Sequence, residues 1–124
     1  MKKVIATPDA PKAVGPYSQA IEVNGTLYIS GQIPVNPAEG KVQEDIVAAA
    51  HQSLKNIGAI LKEAGMTYDN VVKTTVLLAD IADFKAVNEV YAEYFTADKP
   101  ARACYQAAAL PLGVKVEIEA IAVK

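Results

Sequence analysis

Of the 12 basic residues in this chain a single one is arginine, Arg102, near the head of the run ARACYQAAAL. A guanidinium is a planar fork whose paired N–H donors match a carboxylate, and here there is one such fork to place. A second apolar run, VKVEIEAIAV, follows, with Lys115, Glu117 and Glu119 at every second position. Strand alternation puts these three on one face of the last strand, and puts Arg102, Cys104, Gln106 and Ala108 on one face of the strand before it. The short turn Pro111 to Gly113 predicts that the two strands are antiparallel neighbours, so that a cationic fork and a carboxylate share one cleft. Arg102 would then fix an anionic substrate while Glu117 orients or deprotonates a water. The same residues also suit a structural ion pair of Arg102 with Glu117 or Glu119, and the pattern leaves both readings open.

Other candidates are weaker. Cys104 has no histidine near it in sequence to lower its pKa, so its backbone N–H is a better candidate than its sulfur. The only histidine, His51, falls on the wet face of a helix, which leaves a serine nucleophile without a base and a zinc ion without ligands. Tyr17 reads as a packed aromatic and Asn88 as a residue bonded to nearby backbone. Asp80, Asp83 and Asp98 lie at helix ends or in loops, where capping is their ordinary role. No glycine-rich phosphate loop or nucleophile elbow is present.

A formal charge of -2, from 12 basic and 14 acidic residues, argues against a polyanionic partner. One cysteine excludes an internal disulfide. The chain has no run of eighteen apolar residues, and its opening MKKVIATPDAP turns polar early, so the expectation is a soluble, cytoplasmic protein away from membranes.

These residues need elements to hold them. YSQAIEV and TLYIS flank Asn24-Gly25, the signature of a two-residue hairpin turn. GQIPVNPAEGKVQ, punctuated by Pro34, Pro37 and Gly40, predicts a loop across a sheet end. From about Asp45 to Ala64, Val47, Ala50, Leu54, Ile57, Leu61 and Ala64 draw one helix face, and Gly65 ends it. Gly58 within that helix suggests close approach to a sheet. Residues 70 to 80, NVVKTTVLLAD, predict a central strand with both faces largely covered. Asp80 or Asp83 caps a second helix that buries Phe84, Val87, Tyr91 and Phe95. The predicted order is β-β-α-β-α-β-β, with a short extra strand near Lys3 to Ala6, in one domain spanning 1–124. Two helices cannot cover both faces of such a sheet, so they share one face, and the other must be covered by neighbouring subunits.

Taken together, GPYSQA (15–20), SGQIPVNP (30–37), VNEVY (87–91), PARAC (100–104) and LPLGVKVEIEAIAV (110–123) resemble the RidA (YjgF/UK114) family over nearly the whole chain. The resemblance implies a chorismate-mutase-like α+β fold, a mixed sheet with two helices on one face, and a homotrimer whose sheets face inward around intersubunit clefts. It implies a cofactor-free deaminase that hydrolyses small 2-imino acids, such as 2-iminopropanoate and 2-iminobutanoate, to 2-oxo acids and ammonia. Such imines arise with enamines released by pyridoxal-phosphate dehydratases. By the same resemblance Arg102 binds the substrate carboxylate and Glu117 positions the attacking water. Tyr17, Ser30, Gly31, Asn88 and Cys104 match other pocket positions, Gly31 and Cys104 mainly through backbone groups. Where relatives often carry a charged pair after the cysteine, this chain has Gln106 and Ala109, which bears on substrate range or trimer stability. Other functions remain open beside this one: a carboxylate-binding regulatory or protein-partner module without turnover, and the ribonuclease or chaperone activities attributed to some relatives.

Overall fold

A computed structural model describes residues Met1–Lys124. Its elements are β1 (Lys3–Ile5), β2 (Ala20–Val23), β3 (Thr26–Gln32), β4 (Val35–Asn36), β5 (Lys41–Val42), α1 (Ile46–Glu63), β6 (Val71–Leu78), α2 (Phe84–Tyr91), β7 (Ala101–Gln106) and β8 (Val116–Val123). The main sheet runs β1-β2-β3-β8-β6-β7, and the two-residue strands β4 and β5 pair separately. The β2–β3 hairpin turns at Asn24 (φ 51°) and Gly25 (φ 79°), two left-handed residues whose turn follows the twist of the strands. The segment expected to be a plain loop across the sheet end instead carries the β4–β5 hairpin, because the Asn36 side chain accepts from the Ala38 and Glu39 N–H groups and starts a turn.

α1 begins where Asp45 accepts a hydrogen bond from the Ala48 N–H at 3.1 Å, and ends at Gly65 with φ 74°. Ala50, Leu54, Ile57, Leu61 and Ala64 are buried as their spacing predicts, while Val47, in the first turn, is exposed. They pack on Val116, Ile118, Ala120 and Ala122 of β8, the buried half of its alternation. Gly58 does not face the sheet. A Cβ there would collide with Tyr68, whose hydroxyl donates to the Leu54 carbonyl at 2.7 Å. The helix gives up about 1 kcal/mol of propensity to admit that ring.

The second helix is shorter than expected. Asp80 caps the 3₁₀ turn Ile81–Asp83 by accepting from the Ala82 N–H, whereas the Asp83 side chain caps nothing. Val87 and Tyr91 are buried, Phe84 is 40% exposed, and Phe95 is buried beyond the helix end. His51 is half-buried: its Nδ1 lies 2.7 Å from the Tyr94 hydroxyl, where a solvated side chain was expected.

The last two strands are not neighbours. β7 runs parallel to β6 and forms one edge of the sheet, while β8 lies antiparallel between β3 and β6. The turn expected to be a hairpin instead belongs to a connection from Ala107 to Lys115 that steps over β6. Both helices cover one sheet face, as the layer argument requires. The other face leaves Val4, Tyr28 and Tyr105 about half exposed, so in the single chain β6 is covered on one side only.

Candidate active site

The candidate residues separate into two groups on opposite faces of the sheet. Arg102 and Cys104 lie in register with Thr74 and Val76 of β6, both fully buried under the helices, and so point to the helix side. The Arg102 guanidinium carbon sits 4.8 Å from the centre of the Tyr91 ring and 5.6 Å from that of Phe84. Asn88 shares their face of α2, four residues from Phe84 and three from Tyr91. Arg102 enters no salt bridge; the chain's two join Lys124 to Glu22 and His51 to Glu93. The ion-pair reading is therefore corrected. Glu117 and Glu119 occupy the opposite face, and β6 stands between their strand and β7. Burial raises the pKa of the Cys104 thiol, with Arg102 offsetting part of the shift, which leaves this sulfur protonated rather than nucleophilic.

The second group gathers where β3 meets β8. Ile29 pairs with Ala120 and Gln32 with Ile118, so Ser30 and Gly31 together oppose Glu119 in a β-bulge. Ser30 is tied down at both ends of the residue: its N–H donates to the Gln19 carbonyl at 2.9 Å and its hydroxyl to the Ser18 carbonyl at 2.6 Å. Gly31 is packed directly on the Glu117 carboxylate, where any Cβ would collide with it. Glu117 is half-buried, and desolvation raises its pKa above the ordinary value, with the like charge of Glu119 adding to the shift. Tyr17, about half exposed, lines two cavities. One, of about 550 Å³, also takes in Ser30, Tyr28, Lys73 and Glu119; the other, of about 460 Å³, reaches Gly31, Val42 and Leu112.

Sequence reasoning placed Tyr91 and Phe84 in the core without seeing that Arg102 stacks on them. Their separation by two helical turns was the available signal, but the strand they face was assigned the wrong neighbour. It also missed the bulge, for which a glycine inside a strand pattern is the recognisable mark. Gln106 accepts a hydrogen bond from the Ile81 N–H at 3.0 Å and so holds the turn before α2.

One sheet face under two helices and a polar group at each of two separated places on the sheet define a class of small α+β proteins. Residues 7–124 match the endoribonuclease L-PSP family, and the chain belongs to it, the family also known as RidA/YjgF. The mouse and human proteins named 2-iminobutanoate/2-iminopropanoate deaminase are 58% and 56% identical to it over the whole of this chain and 93% and 91% of their own. Among solved structures, the YjgF gene product of E. coli superposes with a TM-score of 0.95 at 49% identity, covering 98% of both chains. E. coli TdcF with bound serine does so with a TM-score of 0.95 at 44% identity, again covering 98% of both.

Proposed function

We propose that this protein hydrolyses small 2-imino acids to 2-oxo acids and ammonia, without a cofactor. The observation that carries this reading is the sole arginine, half-buried and held on aromatic faces with no carboxylate of its own chain to neutralise it. Such a fork is matched to a substrate carboxylate. Support comes from the deaminases that share more than half of its sequence, and from a relative that binds serine, which carries an α-carboxylate beside an α-nitrogen as a 2-imino acid does. An imine carbon is electrophilic once its nitrogen is protonated, so the reaction needs a held carboxylate, a placed water and a proton acceptor. Arg102 holds the carboxylate. Glu117, its pKa raised by burial and by Glu119, orients the water and as the carboxylate takes its proton while the tetrahedral carbinolamine forms; passing that proton to the nitrogen and accepting the hydroxyl proton lets the carbinolamine collapse to the 2-oxo acid and ammonia. The Gly31 and Cys104 backbones, Ser30, Tyr17 and Asn88 shape the pocket around the substrate.

Arg102 and Glu117 face opposite ways in one chain, so a working site combines the Arg102 side of one copy with the Glu117 side of another. A homotrimer with inward-facing sheets supplies three such clefts and covers the exposed Tyr28 and Tyr105. Inactive Arg102→Ala and Glu117→Gln chains, unfolded together and refolded as mixed oligomers, are then expected to recover about a quarter of wild-type sites, since each site needs one intact half from each parent. Sites completed within one chain would recover nothing on mixing.

The direct test generates 2-iminopropanoate and 2-iminobutanoate with an amino-acid oxidase, traps them with semicarbazide and follows diversion to 2-oxo acids. Wild type is expected to divert the flux. A folded protein that diverts none overturns the proposal and leaves a carboxylate-binding module as the better reading. The endoribonuclease in the family's name finds less support in this chain, whose charge is -2 and whose one histidine pairs with Tyr94.

A further inference from the structure

An arginine that must receive a substrate carboxylate has to be fixed in place without being satisfied. A carboxylate neighbour would orient it but neutralise it and occupy its N–H groups. The face of an aromatic ring orients it differently: the cation stacks on the π-cloud, and the in-plane N–H donors at its edge stay free. Arg102 is in this second situation. Its guanidinium lies within about 6 Å of two ring centres, the range in which the attraction is significant.

The nearer ring, Tyr91, is itself held. It is 7% exposed, and its hydroxyl lies 2.7 Å from the hydroxyl of Thr74, a residue with no exposed surface on the strand beside β7. Phe95 packs against the ring at 4.5 Å between centres, and Tyr68 meets Phe95 edge-on at 5.7 Å. Thr74 is also the register partner of Arg102 across the β6–β7 pair. The strand residue that anchors the ring therefore stands beside the arginine the ring supports, so ring and guanidinium share one frame of reference. Phe84, more exposed and farther away, closes the second side loosely.

We infer that Tyr91 is a positioning residue for carboxylate recognition: anchored by Thr74, its ring holds the Arg102 fork in an uncompensated, substrate-ready orientation. The inference rests on the proposed role of Arg102. It predicts that the aromatic ring matters for binding and the hydroxyl much less, which separates it from a purely structural role, where loss of the Thr74 contact would dominate.

The test compares Tyr91→Leu with Tyr91→Phe, both of which orphan the Thr74 hydroxyl while only one removes the ring. With a single arginine in the chain, the side-chain resonances of Arg102 are assigned without ambiguity, and protons over a ring face are shifted upfield by its current. Wild type and Tyr91→Phe are expected to show that upfield shift, and Tyr91→Leu to lose it. In parallel, Tyr91→Leu should raise KM for 2-iminobutanoate about tenfold with kcat within about twofold of wild type, while Tyr91→Phe stays near wild type. Folded Leu and Phe variants that match wild type, or that are impaired equally, overturn the inference. If wild type itself turns over no imine, the proposed activity fails alone. The resonance shift and the affinity for 2-oxobutanoate then still decide the role of Tyr91: an unchanged shift and affinity in Tyr91→Leu overturn it.

Discussion

Replacing Arg102 with lysine is expected to lower kcat/KM for 2-iminopropanoate and 2-iminobutanoate by roughly 10²-fold, and replacing it with alanine by roughly 10³-fold, measured by the semicarbazide competition assay. The lysine variant is the informative one. It keeps the charge but offers a single ammonium in place of a planar pair of donors, and it stacks less well on Tyr91 and Phe84. The loss should lie mostly in KM, because the carboxylate is bound in both ground and transition states. Fold stability should change little, since Arg102 bonds no carboxylate that would be left unpaired. Equal activity in wild type, lysine and alanine variants would remove Arg102 from the site.

Glu117→Gln should cost about 10²- to 10⁴-fold in kcat, the usual worth of a positioned proton acceptor, with a smaller change in KM. The acid limb of the wild-type kcat/KM profile should lie above the ordinary glutamate value of about 4.3, because burial and Glu119 favour the protonated form. The same shift sets a stability prediction of definite sign. Folded Glu117 holds its proton more tightly than the unfolded chain does, so stability falls as pH rises from the unfolded value through the raised folded one. Above that window the ionised carboxylate is a standing cost. Glu117→Gln should therefore melt higher than wild type at pH 7 and lose this advantage below about pH 4. A variant less stable at pH 7, with full activity, would contradict both assignments.

Local patterns in the sequence carried far. The alternation of Val116, Ile118, Ala120 and Ala122, the Asn24-Gly25 turn and the spacing in α1 each follow from one segment's own periodicity, and each is realised, apart from the exposed Val47 in the first turn of α1. Strand adjacency does not have that property. Whether β8 lies beside β7 or beyond β6 depends on which pairing buries more apolar surface across the whole sheet, and a short turn at Pro111–Gly113 says nothing about that competition. The consequence reaches the site: residue type marks out Arg102 and Glu117, and hairpin adjacency would set them on one face, whereas their registers with Thr74 and Leu77 turn them to opposite sides. Tyr91 was legible as core and illegible as support, because its partner lies on a strand whose position the local pattern does not contain.

The placement of β8 also governs when this fold can exist during synthesis. Within the sheet, β1, β2 and β3 on one side and β6 and β7 on the other are joined only by β8, which leaves the ribosome after all of them. Until it arrives, Leu27 and Ile29 lie along one unpaired strand edge and Val76 and Leu78 along another, all of them buried in the finished protein. The nascent chain therefore carries one open sheet edge once β3 has formed and a second once β6 has, and commitment to the native sheet is deferred to the insertion of a single late strand between them.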